Sequence, residues 1–338
     1  IKALSTIELC GEVRDNFGEL MSDFNGIVQV SVYDKENTYR TKGDKDFPKV
    51  TFQLRNSMLF DGKAKVESGT FSVRFTVPKD INYSYGKGLI SFYATDYETD
   101  ANGSYGNVIV GGYDNTAIPD VDGPEARAFI DDTLFVSGGM TNENPLFYAF
   151  VRDKNGINTT GIGIGHDITV TITGATNKSY TLNSFYEAPV NANDYGSIAY
   201  HLYGLNEGDH HLVFRVWDIY NNSTSVALDF TVVKSGNMTV KNVYNAPNPM
   251  TSYTKFMFEH NQSGYVDITI NIYNINGQLV KTIHDSRYGS STRIEPIYWD
   301  GRSDSGAALP SGVYVYNVIM TNDNNETQTG YSKLVIAR

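Results

Sequence analysis

Val266-Asp267-Ile268-Thr269-Ile270-Asn271-Ile272-Tyr273-Asn274-Ile275-Asn276-Gly277-Gln278-Leu279-Val280 sets the architecture of this chain. Successive side chains of an extended backbone point to opposite faces, so Val266, Ile268, Ile270 and Ile272 share one side and Asp267, Thr269 and Asn271 the other. This is a half-buried strand with a wet outer face. Asn276-Gly277 then reads as a two-residue type I′ hairpin turn, because both central residues of that turn need positive φ.

The same period of two recurs upstream. Ile168, Val170 and Ile172 form one set, followed by Ile198, Tyr200 and Leu202, by Leu212, Phe214 and Val216, and by Val226, Leu228, Phe230 and Val232. Asp218-Ile219-Tyr220-Asn221-Asn222 joins the last two, with Asn able to take left-handed angles. Nearer the start lie Val28, Val30 and Val32; Val50, Phe52 and Leu54; Phe71, Val73, Phe75 and Val77; and Ile90, Phe92 and Ala94. Asp61-Gly62 and Lys87-Gly88 are read as turns between them, and Pro78 ends its strand for want of a ladder donor.

Two breaks interrupt the pattern, Pro119-Asp120-Val121-Asp122-Gly123-Pro124 and Lys234-Ser235-Gly236-Asn237. The 338 residues, 24 Tyr and 17 Phe among them and only 19% charged, suit pleated strands and tight turns. At roughly 100 residues per sandwich, the expected fold is all-β, with three tandem Ig-like β-sandwich domains at residues 1–119, 120–236 and 237–338.

A formal net charge of −11 repels nucleic acid and anionic lipid, and no Lys/Arg cluster stands out as a local exception. No apolar run approaches the ~20 residues of a membrane helix, and the first residues lack the basic and apolar parts of a signal peptide. Ile1 opens within a strand-like pattern, which reads as a piece of a longer protein or a mature product. With Cys10 as the lone cysteine, stability is expected to rest on burial.

Five motifs follow one another towards the end of the chain: Ala246-Pro247-Asn248-Pro249, Ile272 to Val280, Trp299-Asp300-Gly301-Arg302, Leu309-Pro310-Ser311-Gly312-Val313-Tyr314, and Lys333-Leu334-Val335-Ile336-Ala337-Arg338. In this order they resemble the type A C-terminal sorting domain of the type IX secretion system, itself similar to the Ig-like domain of hook-capping proteins. Trp299 offers a large apolar anchor, and Asp300-Gly301 and Ser311-Gly312 turn the chain.

Upstream, Asp122-Gly123-Pro124, Gly138-Gly139-Met140-Thr141-Asn142, Asp153-Lys154-Asn155-Gly156-Ile157-Asn158, Gly161-Ile162-Gly163-Ile164-Gly165-His166-Asp167 and Val216-Trp217-Asp218-Ile219-Tyr220-Asn221-Asn222 extend the similarity. They resemble the region after the peptidase domain in gingipain-related type IX sortases of the PorU-like family. The Cys-His dyad of that family lies in a caspase-like domain that nothing here matches. The resemblance therefore implies a non-catalytic C-terminal region that is exported to the cell surface, with an outer-membrane β-barrel of the secretion system as partner. Strand addition at an unpaired edge is the expected mode of docking, with Val313, Val315, Leu334 and Ile336 as candidate residues.

Other chemistry is weakly signalled. Cys10 lies in an alternating strand between Glu8 and Glu12, where carboxylates discourage a thiolate. His210 and His211 are consecutive on a strand and face opposite ways, which argues against a shared metal. The Gly161–Gly165 turn lacks the following helix that a phosphate cradle needs. No cofactor is required on this reading. Calcium is the one candidate ion, with Asp96, Glu98, Asp100 and Asn102 supplying hard oxygens at alternate positions. Tyr83, Tyr85, Tyr93, Tyr97, Tyr105 and Tyr113 leave an alternative open, a surface adhesin or an array of glycan- or protein-binding modules.

Overall fold

Alternating burial appears wherever the sequence alternates: Gly264–Tyr273 buries Val266, Ile268, Ile270 and Ile272, each at most 1% exposed. In this computed structural model, residues 1–161, 165–234, 238–262, 264–289 and 293–338 are described. Helical structure among them amounts to the 3-10 turn Asn183–Phe185, and no helix is long and apolar enough to cross a membrane. The chain is all-β. Its buried apolar residues form three clusters, within residues 3–110, 128–232 and 238–336.

In the first cluster, Met58–Val66, Gly26–Tyr33, Leu89–Thr95 and Asp100–Tyr105 form a sheet in that spatial order, and Thr6–Glu12 pairs with Thr70–Thr76 opposite. Phe60 stacks on Phe75 between the layers, with centroids 4.2 Å apart. Asp61-Gly62, expected to turn the chain, instead runs inside Met58–Val66 opposite Ser31 and Val30. The Phe60 ring lies over Gly62, where a Cβ would come within 2.4 Å of it, so this glycine is spent on packing. Val50, Phe52 and Leu54 also depart from expectation. They belong to a separate exposed hairpin, Asn37–Arg40 with Thr51–Leu54.

The second cluster packs Glu125–Ile130, Leu146–Arg152, Tyr195–His201 and Tyr186–Glu187 against a five-stranded sheet. That sheet runs Gly139–Thr141, Ser223–Val232, Gly208–Trp217, Thr169–Gly174 and Lys178–Thr181. Its long hairpin turns at Asn221 with φ 74°, the left-handed conformation expected of an Asn there. Backbone and amide bonds tie this body to the first one: Lys79 N–H donates to the Ile219 carbonyl at 2.8 Å. Asn193 Nδ2 donates to the Arg74 carbonyl at 2.7 Å, and Asn191 Oδ1 accepts from Lys65 N–H at 3.0 Å.

In the third, Val240–Ala246, Thr254–His260 and Ile297–Trp299 face the sheet Leu279–Gly289, Gly264–Tyr273, Gly312–Asn322 and Thr327–Ile336. The Asn276-Gly277 turn differs from type I′. Gly277 alone takes positive φ, 77°, while Asn274 Oδ1 accepts from the N–H groups of Asn276 and Gln278 and the register shifts at Tyr273. An Asn side chain closing the loop makes a second left-handed residue unnecessary. Ser235 to Asn237 of the second break, and Ile162 to Ile164 of the glycine-rich turn, lie outside the described residues.

Candidate functional site

The final strand is closed where it was expected to be open. Leu334 and Ile336 are 0% and 1% exposed and sit in the core, because their parity directs them inward beside Met250 and Tyr316. The outer edge of the strand is also occupied. Asn248 Nδ2 donates to the Lys333 carbonyl at 3.0 Å, its Oδ1 accepts from Val335 N–H at 2.9 Å, and Met250 N–H donates to the Val335 carbonyl at 2.8 Å. Leu334 and Ile336 thus lie in the core rather than on an exposed face, and the edge from Lys333 to Val335 is occupied by the chain itself.

Val313 and Val315 have the opposite parity and lie 49% and 46% exposed on the outer face. Val315 stands opposite Tyr273, which pairs in turn with the exposed Leu279, and Val313 stands opposite Val335. A row of apolar side chains thus crosses the sheet on its solvent side. Behind it, Trp299 is 3% exposed and donates its indole N–H to the Arg302 carbonyl at 3.0 Å. The terminal Arg338 reaches across: its guanidinium donates to the carbonyls of Thr251, Leu309, Asp300 and Gly301 at 3.1–3.3 Å. Gly301, at φ 75°, leaves the space that this side chain fills.

A second constellation was not foreseen. Asp120 from the first break, Asp153 from the turn after Leu146–Arg152, and Asp218 from the turn after Gly208–Trp217 bring carboxylate oxygens within 4.8 Å of one another. Among the described residues this is the group of three metal-capable side chains that the fold assembles. Asp218 Oδ1 accepts from the N–H groups of Tyr220 and Asn222 at 2.9 and 2.7 Å, and Asp153 Oδ1 from Asn155 N–H at 2.8 Å. Burial pushes Asp153 up to about 6 and raises Asp218 as well. Burial opposes ionisation of Asp120 too, but hydrogen bonds from Asp122 N–H, Lys154 and Asn155 hold it below the ordinary carboxylate value. Lys154 Nζ lies 3.3 Å from Asp120. Such a set of hard oxygens suits Ca²⁺ or Mg²⁺ in donor type.

The residues proposed for calcium from sequence are placed differently. Asp96 Oδ1 caps its own turn, accepting from the N–H groups of Thr99 and Glu98 at 2.6 and 3.0 Å. Asp100 and Asn102 lie exposed on Asp100–Tyr105, opposite Thr95 and Tyr93, and Glu98 is exposed in the turn. The fold does not gather Asp96, Glu98 and Asp100 into one group. Cys10 is exposed, with Sγ 3.8 Å from Ser72 Oγ. His210 is buried against Thr176 while His211 faces outward and pairs with Asp229 at 2.7 Å, so the two diverge as strand parity requires.

Residues 240–334 match the CHU_C type IX secretion signal domain family. A comparison with curated proteins returned no match. Among solved structures, dimeric latent PorU from Porphyromonas gingivalis aligns with 100% of this chain at 32% identity and a TM-score of 0.42; the chain spans 32% of that protein's length. The glucan-utilisation protein SGBP-B of Bacteroides ovatus, solved with a mixed-linkage heptasaccharide, aligns over 99% of this chain and 65% of its own at 13% identity, TM-score 0.28. A two-domain fibronectin type III segment of chicken tenascin aligns over 63% and 99% at 15% identity, TM-score 0.20. The sandwich of Trp299 and Arg338 is thus a type IX secretion signal domain.

Proposed function

We propose that this chain is the non-catalytic C-terminal region of a type IX secretion sortase, whose Cys-His peptidase chemistry resides outside these residues. Its first two sandwiches act as a spacer, and the third docks the protein on an outer-membrane β-barrel of the secretion system at the cell surface. The observation that carries this reading is a type IX signal domain over residues 240–334, joined to two further bodies whose cores are likewise filled sandwiches.

For the docking surface we favour the outer row of Val313, Val315, Tyr273 and Leu279, because the last strand's edge near Val335 is taken by Asn248 and Met250. An apolar row in the middle of a sheet face is held rigid by its ladder and loses little entropy on contact. The test is co-purification of the cell-surface protein with outer-membrane barrels after Val313→Asp and Val315→Asp. The reading predicts loss of the barrel from the eluate with an unchanged unfolding midpoint. Undiminished co-purification would remove this face from the account.

A further inference from the structure

Val50, Phe52 and Leu54 show the alternation of a core strand, yet none of the three buried clusters among the described residues contains them. They lie 54%, 40% and 47% exposed on a two-stranded ribbon in which Asn37–Arg40 pairs only with Thr51–Leu54. The register places Tyr39 opposite Phe52 and Asn37 opposite Leu54 on one face, leaving Thr38, Arg40, Thr51 and Gln53 on the other. Tyr39 and Phe52 stack at 5.9 Å, and Phe47 at the tip is 70% exposed. The ribbon is amphipathic, and among the described residues no third strand pairs with it and its apolar side chains stay exposed. A lone two-stranded hairpin is at best marginally stable in water, and five clustered apolar side chains left wet mark an interaction surface.

Charge selects the occupant. Arg40, Lys42, Lys45 and Lys49 stand against Asp44 and Asp46, so this hairpin is a local cationic exception in a chain of formal charge −11, contrary to the expectation that no Lys/Arg cluster departs from the acidic background. Among the described residues none of these four cations forms an ion pair, whereas Arg55 at the base of the ribbon is paired with Glu36 at 3.2 Å. Asp44 is turned onto its own loop, its Oδ1 accepting from the N–H groups of Asp46 and Phe47 at 2.9 and 2.8 Å. Unpaired lysines flank Phe47-Pro48 at the free end, where long side chains can keep their ammonium groups among phosphates while an aromatic ring enters the acyl boundary.

We infer that the Asn37–Leu54 hairpin is an interfacial anchor that inserts Phe47 and its apolar face into the headgroup region of an anionic bilayer. The attachment is independent of the partner docking proposed for the terminal sandwich. It adds a second, weak contact, and two weak contacts carried by one chain hold far better than either alone.

The full 338-residue chain is floated with vesicles of phosphatidylcholine and phosphatidylglycerol and with vesicles of phosphatidylcholine alone, at low and high salt. Binding is expected on the anionic vesicles, weakening with salt. Phe47→Ser should weaken it by roughly tenfold, the value of one buried aromatic, and Lys42→Glu with Lys49→Glu by roughly tenfold or more. Phe47→Trp should shift its emission to the blue on anionic vesicles. Phe47 touches no core, so these variants keep their unfolding midpoints. Absence of vesicle binding, or binding indifferent to both sets of substitutions, would overturn the inference; a soluble protein captured through Phe47 without lipid would do so as well.

Discussion

Asn248 grips the backbone at Val335 as a neighbouring strand would, with its Oδ1 accepting Val335 N–H at 2.9 Å and its Nδ2 donating to the carbonyl of Lys333 at 3.0 Å. One amide side chain, beside the Met250 N–H that donates to the Val335 carbonyl, thereby occupies this stretch of the edge. Asn248→Ala leaves both backbone groups without a protein partner and is expected to lower stability by about 1–3 kcal/mol. Asn248→Asp keeps the acceptor, loses the donor and should fall between. Urea unfolding followed by tyrosine and tryptophan fluorescence reads the difference; a midpoint unmoved by Asn248→Ala would show that solvent serves the edge equally well.

The end of the chain is fixed in a similar manner by Arg338, through four carbonyls contributed by three separate segments. Arg338→Ala should destabilise the terminal sandwich by about 1–3 kcal/mol. Arg338→Lys should recover less than half of that, because an ammonium cannot span carbonyls that a planar fork reaches together. Thermal unfolding of the three proteins side by side gives the ranking, and equality of the Lys and Arg forms would contradict the fork argument.

His260 introduces a pH dependence. It is 0% exposed, its Nδ1 accepts from Gln262 N–H at 3.2 Å, its Nε2 has no partner, and burial lowers it to about 4. The unfolded chain then binds the proton more readily than the folded one, so the stability is fully present above about pH 6.5 and is lost as pH falls towards 4, by about 3 kcal/mol over the window. His260→Leu should flatten the stability profile between those limits. A profile of unchanged slope in the variant would place the titration elsewhere.

Asp153 acts with the opposite sign. Raised to about 6 by burial, it favours the folded state while protonated and costs stability once ionised, so its contribution declines as pH rises from about 4 to about 6 and stays unfavourable above. With chelator present, Asp153→Asn should gain about 2–3 kcal/mol above pH 6 and nothing below pH 4. The Asn oxygen can still accept from Asn155 N–H, so the turn is kept. A loss of stability at pH 7 would show that the carboxylate charge is already compensated.

Period-two alternation was enough to locate most strands, and Val266 to Ile272 or Ile168 to Ile172 are buried as their parity demands. It could not separate a core strand from the apolar face of a free hairpin, since Val50, Phe52 and Leu54 carry the same signal as Val28, Val30 and Val32. Nor does a local pattern say whether Asp-Gly turns the chain or, as at Gly62, makes room for a ring. Asp120, Asp153 and Asp218 come from three distant turns, and only closure of the second sandwich joins them. The strand parity of Leu334 and Ile336 is legible in the sequence, whereas the cover that Asn248 gives the neighbouring Val335 edge comes from a distant segment and is not.

The terminal sandwich is the part we propose to hold this protein at the cell surface. Removing residues 240–338 and measuring how much of the remaining protein stays with the outer-membrane fraction, alongside recovery of barrel proteins, tests that most directly. Most of the protein should move to the soluble fraction, and the barrels should vanish from the eluate. Retention at the level of the intact chain, with barrels still recovered, would contradict it.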